Sequence, residues 1–161
     1  MAYETLAASY DRLTNDIPYE DILDFYHKLW AEYGLRPASV VDLACGTGSM
    51  TVLLAREGLS VLGVDASEEM LTQAADKAAG MENPPWFVRQ RMEKLRLPAP
   101  VDLAVCCLDG VNYVTEPAAL REAFARVFKA LNPGGLFLFD INSEAKLRAV
   151  CAHSIIDLQH D

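Results

Sequence analysis

The chain has 161 residues, 52% apolar and 23% charged, which suits one globular domain with a sizeable core. Its 23 acidic against 14 basic residues give a formal charge of −9; so acidic a surface repels a phosphate backbone and favours a small-molecule partner over nucleic acid. Four cysteines without a CxxC pair (Cys45, Cys106, Cys107, Cys151) and three histidines without ligand spacing (His27, His153, His160) argue against a disulfide scaffold and a metal site; the lack of a membrane-length apolar run or a signal-peptide layout leads to the expectation of a cytoplasmic protein with no membrane partner.

Tyr3, Leu6, Ala7 and Tyr10 sit at helical spacing and predict a short helix ahead of Asn15. Ile22, Phe25, Tyr26, Leu29, Trp30 and Tyr33 recur at three- and four-residue steps, predicting an amphipathic helix whose face packs on a sheet. Asp16 is its expected N-cap, Pro18 lies in its first turn, and Gly34 ends it. Strands and helices alternate after Pro37. Residues 39–43 read as the first strand, 50–57 as a helix closed by Gly58, and 60–64 as the second strand with Asp65 at its C-terminal end. Ser67 caps a helix to Ala79, with Glu68 and Glu69 where the dipole favours them.

Residues 86–90 form the expected third strand and 92–100 a loop or single turn. The stretch 101–107 is nearly all apolar, as befits a strand buried on both faces, and would place Cys106 and Cys107 on opposite faces. A helix is expected from Thr115-Glu116-Pro117 through Leu131, with Leu120, Phe124, Val127, Phe128 and Leu131 on one face. Asn132-Pro133-Gly134-Gly135 is a stop and turn, 136–141 the fifth strand, and Ser143 the cap of a last helix to about Val150. The alternation predicts an α/β fold with a doubly wound parallel sheet and right-handed crossovers. We expect a single domain over 1–161, with a helical lid at 1–36, a ligand-binding core at 37–150 and a tail at 151–161.

Val40-Val41-Asp42-Leu43-Ala44-Cys45-Gly46-Thr47-Gly48-Ser49 reads as strand, small-residue turn, helix. Gly46 and Gly48 let the backbone bend and let a ligand approach it, and the helix start offers unpaired N–H groups. Asp65, ending the second strand, can accept two ribose hydroxyls, a geometry that serves nicotinamide nucleotides and S-adenosylmethionine alike. Two features separate them. The third glycine position of the dinucleotide fingerprint is Thr51, and Asp42 is expected to point its charge into the site, which repels a pyrophosphate and attracts a cationic ligand.

On Val41-Asp42-Leu43-Ala44-Cys45-Gly46-Thr47-Gly48, Val64-Asp65-Ala66-Ser67-Glu68-Glu69-Met70-Leu71 and Leu131-Asn132-Pro133-Gly134-Gly135, the chain resembles the class I S-adenosylmethionine-dependent methyltransferases. Tyr10-Asp11 and Asn112-Tyr113 look like the small bacterial branch that includes sugar N-methyltransferases. The resemblance implies S-adenosylmethionine as cofactor and transfer of its methyl group to a small-molecule acceptor. It implies that Ala44, Gly46 and Gly48 line the methionine part, that Asp42 orients the amino group directly or through water, and that Asp65 holds the ribose. Ala66 and Met70 would lie beside the adenine, Met92 would flank it through its backbone N–H, Leu108 would offer a carbonyl to the methionine ammonium, and Tyr10 and Tyr19 would close a lid. Asp109 and Tyr113 are the candidates for a general base where a poor nucleophile needs one.

Two departures stand out. Arg91 occupies a position where the family often has an acid against the adenine amine. The family fold has seven strands, the last two an antiparallel hairpin, so a chain ending at Asp161 is expected to be truncated and to lack part of the substrate pocket. A bare fifth strand would then pair with the tail (154–158), with a second copy, or by exchange of elements. Three functions follow: a methyltransferase, a fragment that binds the cofactor without turnover, and a nicotinamide-dependent oxidoreductase.

Overall fold

The computed structural model describes residues 16–153. The predicted first helix, Tyr10, the side chains of 150–153 and the tail from 154 lie outside the described residues. Five strands, β1 (Ser39–Leu43), β2 (Ser60–Asp65), β3 (Trp86–Arg89), β4 (Val101–Cys106) and β5 (Leu131–Phe139), form one sheet in the order β3-β2-β1-β4-β5. All four pairings are parallel. The helices are α1 (Tyr19–Glu32), α2 (Ser49–Arg56), α3 (Glu68–Ala78), α4 (Pro117–Ala130) and α5 (Glu144–His153), with single 3-10 turns at Met92–Lys94 and Gly110–Tyr113. The chain winds outward from β1 to β3, then returns to lay β4 on the other side of β1. This is the doubly wound fold expected, and its strand order reverses between β1 and β4.

Period-two alternation divides the central strands between two cores. Val41, Leu43, Val64, Ala104 and Cys106 pack with Ala123 and Val127 of α4 and with Met92 and Leu95. Val40, Val61, Leu103 and Val105 pack on the other face with Leu23 and Tyr26 of α1 and Met50 and Leu54 of α2. Cys107 joins this second cluster while Cys106 belongs to the first, so the two thiols do face opposite ways.

Several local expectations need correction. Pro18, not Asp16, is the N-cap of α1, and no side chain caps it; Gly34 does close the helix, at φ +67°. Its buried stripe is centred on Leu23 and Tyr26, which leaves Phe25 and Tyr33 55% and 69% exposed. On α4 the buried stripe runs through Ala123 and Val127, and Phe128 is 80% exposed. In both helices the apolar arc is wider than the buried one, so spacing alone could not centre it. Strand β5 starts at Leu131, earlier than expected, and stops at Phe139. Two steps along β4 (Val101 to Leu103) face five along β5 (Leu131 to Leu136), so residues 132–135 bulge out of the ladder. The Asn-Pro-Gly-Gly turn therefore exists, inside the strand. Gly134 sits at φ +81°, and a Cβ on Gly135 would lie 2.8 Å from the Asp102 carbonyl oxygen.

Asp102 staples the N-terminal ends of three strands. Its Oδ2 accepts from the Ala38 N–H (2.9 Å), the Ser39 N–H (3.1 Å) and the Ser39 hydroxyl (3.1 Å), and its Oδ1 accepts from Asn132 Nδ2 (2.8 Å). The Ala38 and Asn132 bonds hold its carboxyl below the usual carboxylate range. A carboxylate with a depressed folded-state pKa contributes stability above its unfolded pKa and loses it as pH falls through the folded value. Asp102→Ala is expected to lower the free energy of unfolding at pH 7 by about 1–3 kcal/mol, and to shrink the loss of stability below pH ~4. Urea denaturation at several pH values measures both.

Candidate functional site

A cleft of about 340 Å³ opens at the C-terminal ends of the strands, at the switch point. Its wall comes from residues 44–47 after β1, Asp65, Ala66 and Ser67 at the end of β2, 90–93 after β3, and Cys107, Leu108 and Gly110 after β4. Tyr19 of α1, Tyr113, Val114, Met50 and Met70 complete it.

The first turn is built on left-handed backbone. Ala44, Gly46 and Gly48 have φ of 52°, 55° and 76°. The Cys45 N–H donates to the Val64 carbonyl (3.1 Å), and the Gly48 N–H to the Cys45 carbonyl (2.9 Å). Asp65 ties this turn to the next: its Oδ2 accepts from the Gly46 N–H (2.9 Å) and its Oδ1 from the Ser67 N–H (2.8 Å). Ser67 in turn caps α3 by accepting from the Met70 N–H (3.3 Å). After β4, Leu108 and Asp109 also lie at positive φ, 58° and 66°. With Ala44 they are the non-glycine residues in this region among those described; Ala44 and Leu108 line the cleft, and Asp109 follows directly after Leu108. Each such conformation costs about 1–3 kcal/mol, strain that collects at functional sites.

Asp42 is not where the sequence reading put it. Its side chain is 1% exposed and takes no part in the cleft wall, which its neighbours Leu43 and Ala44 form. Oδ2 accepts from the Thr51 hydroxyl (2.5 Å), and Oδ1 has no partner among the described residues. Burial pushes its carboxyl up to about 7, against the lowering effect of the Thr51 bond. Thr51 is thus the partner of a buried acid, and a glycine there would strip that carboxylate of the hydroxyl bond. Gly48 also lies off the wall: a Cβ there would meet Ala74 Cβ at 2.8 Å and Phe87 at 3.3 Å, so its work is to let the turn pack on α3 and β3.

The cleft wall brings together Tyr19, Ala44, Gly46, Asp65, Ala66, Met70, Met92, Leu108 and Tyr113. Met70 and Met92 are buried against it, whereas Tyr113 is 64% exposed. Asp109 stands apart: its carboxylate faces Lys146 Nζ (3.7 Å), and its N–H donates to Asp140 Oδ2 (2.8 Å). The wall holds an acid at Glu93, ion-paired with Arg91, rather than at 91. Reading the sequence missed Cys45 and Cys107 on the wall, whose thiols burial raises and keeps protonated. It also missed two glycines that clear space. A Cβ on Gly63 would lie 2.6 Å from Phe87 and 3.1 Å from Cys45 Sγ; one on Gly110 would lie 2.6 Å from Cys106 Sγ and 2.9 Å from Ala44 Cβ. Gly63, a glycine inside an apolar strand, was the available signal. Among the described residues no cluster of three or more His, Cys, Asp or Glu could hold a metal ion, and no helix is long and apolar enough to cross a membrane.

The buried acid gives a pH signature. Because the folded-state pKa of Asp42 lies above its unfolded value, the native state binds more protons between about pH 4 and 7, and this group makes stability fall as pH rises through that window. The slope is at most about 1.4 kcal/mol per unit. Asp42→Asn should remove it. Urea denaturation of both proteins from pH 4 to 8 tests this; parallel pH profiles would assign the titration elsewhere.

A methyltransferase-domain model matches residues 40–135. A curated protein of Geobacillus sp. (strain WCH70) is 38% identical over 148 residues, covering 91% of this chain and 60% of its own length. YqeM of Bacillus subtilis is 35% identical over 151 residues, covering 93% and 59%. Both carry the name methyltransferase provisionally, and the chain spans about 60% of each. Among solved structures, a S-adenosylmethionine-dependent methyltransferase from Clostridium acetobutylicum superposes with a TM-score of 0.82 at 35% identity, over 93% of this chain and 61% of that one. The match spans the first turn, the Asp65 strand end and the Asn-Pro-Gly-Gly bulge, and on it the chain belongs to the methyltransferase-domain family, the class I S-adenosylmethionine-dependent methyltransferases.

Proposed function

We propose that the chain binds S-adenosylmethionine in the cleft at the strand ends, and that the protein transfers its methyl group to a small-molecule acceptor. The Asp65 carboxylate carries this reading. One lone pair on each oxygen is used by the Gly46 and Ser67 amides, which leaves the second pair on each for two ribose hydroxyls. The donor set fits in other ways. Met70 and Met92 offer an apolar slot for a flat base, and Leu108, on the wall at left-handed φ, would offer its carbonyl to the ligand ammonium. The unpartnered Oδ1 of Asp42 suits an indirect contact with that ammonium better than a direct one.

The bound cofactor supplies a methyl group already activated on a sulfonium. The chain's own residues then have to hold it in line and exclude water. Tyr19, on the wall, is assigned to the lid. Asp109, turned to Lys146, is poorly placed as a base, so Tyr113 is the better candidate. Family membership argues against the nicotinamide-dependent alternative. Binding without turnover is separated from catalysis by assay of this chain on small-molecule amines and hydroxyls.

Asp65→Ala should weaken S-adenosylmethionine roughly tenfold or more, since charge-assisted hydrogen bonds are worth about 1.5–3 kcal/mol each. It should also lower the melting temperature of the apo protein, because the same carboxylate ties two turns together. Gly46→Val should weaken binding at least tenfold, because a β-branched side chain at φ 55° strains the turn and fills space on the cleft wall. Calorimetry with S-adenosylmethionine and NADH reads these outcomes. Tight NADH binding with none of S-adenosylmethionine would refute the proposal.

We also propose that a second copy pairs with the β5 edge. Phe124, Phe137 and Phe139 touch one another there with centroids 4.8–5.5 Å apart, and Phe128 stands out beside them. Light scattering over a dilution series should show a monomer–dimer equilibrium that Phe139→Lys shifts to monomer.

A further inference from the structure

The wall of the cleft has a support that no ligand would touch. Met70, Ala74 and Lys77 share one face of α3, at i, i+4 and i+7. Met70 reaches the cleft, and Ala74 backs onto Gly48 so closely that a Cβ on Gly48 would stand 2.8 Å from its own. Lys77 continues the line: its Nζ donates to Thr47 Oγ1 (3.2 Å) and Ser49 Oγ (2.9 Å). Thr47 is the last residue of the turn on the wall, and Ser49 is the first of α2. The ammonium therefore clamps the junction of turn and helix from behind.

The placement has a cost. The N-terminus of α2 is the positive end of a helix dipole, where a cation is disfavoured. Gly48, the N-cap, contributes no side-chain bond. The gain is geometric. With both hydroxyls held, residues 44–47 keep the strained path that forms one wall of the cleft.

We propose that Lys77 is a positioning residue: by fixing the turn from behind, it sets affinity for the methionine half of the ligand without contacting it. This rests on the cofactor reading above, in which the turn faces the methionine half, while Met70 and Met92 face the adenine.

The test uses calorimetry on the whole chain with S-adenosylhomocysteine and with adenosine. Lys77→Met should weaken S-adenosylhomocysteine by roughly two- to thirtyfold, the range for residues that act through a network. Adenosine, which lacks the methionine half, should change by less than about twofold. Lys77→Arg, which keeps the charge and donors, should recover most of the loss. Equal weakening of both ligands would mean general loosening and would overturn the proposal, as would unchanged S-adenosylhomocysteine affinity. If Lys77→Met does not fold, Ser49→Ala removes one of the same contacts and should show the same split between ligands. A wild-type chain that binds neither ligand would overturn the cofactor reading itself, and this proposal with it.

Discussion

One carboxylate joins the parts of the cleft. Asp65 ends β2, yet its oxygens reach the amide of Gly46 in the first turn and that of Ser67 at the start of α3. Backbone amides at turns and helix starts have no partner in their own element. An acid at this point satisfies two of them at once and fixes the distance between two loops that no strand pairing controls. The Cys45 amide, bonded to the Val64 carbonyl, extends the same tie. Wall geometry thus follows from the strand end, and the remaining lone pairs on Asp65 face a cleft whose shape that residue has already set.

The legible part of this protein is what repeats. Alternating apolar runs and helical stripes located all five strands and the four helices between and before them. The cleft residues at strand ends were legible for a related reason: topology alone brings those ends together. What escaped depends on distances across the fold. Nothing local distinguishes an Asp42 that enters a cleft from one buried against Thr51. Nothing local says that Gly48 is small for the sake of Ala74, 26 positions on (74 − 48), or that Asp109 would meet Lys146. The widths of the buried stripes on α1 and α4 were also hidden, because Phe25, Tyr33 and Phe128 continue the apolar spacing onto solvent-exposed positions.

Thr51 shows how a motif can mislead. Set against a dinucleotide fingerprint, it is a missing glycine. In the fold it is a donor, fully buried, whose hydroxyl meets the one buried acid of the central strand. The substitution and the acid belong together. An isolated ionised carboxylate in this core would be prohibitive, and hydrogen bonding from Thr51 lowers that cost only in part, which is why burial still prevails and the group titrates near neutrality.

The two ends of the sheet are treated oppositely, and that contrast locates function better than any single residue. At the N-terminal end Asp102 gathers four donors and gives each oxygen a partner, a fully satisfied network that does nothing except hold β1, β4 and β5 together. At the C-terminal end the same strands finish in three non-glycine residues at left-handed φ and a buried acid with one oxygen that has no partner among the described residues. Each of these costs free energy, and a chain selected for stability alone would shed them singly by substitution. They persist together at one place, around one cleft, while the opposite end carries the bonds that offset them. Unsatisfied groups and strain on one side, saturation on the other, are what a fold looks like when one of its ends has to receive something.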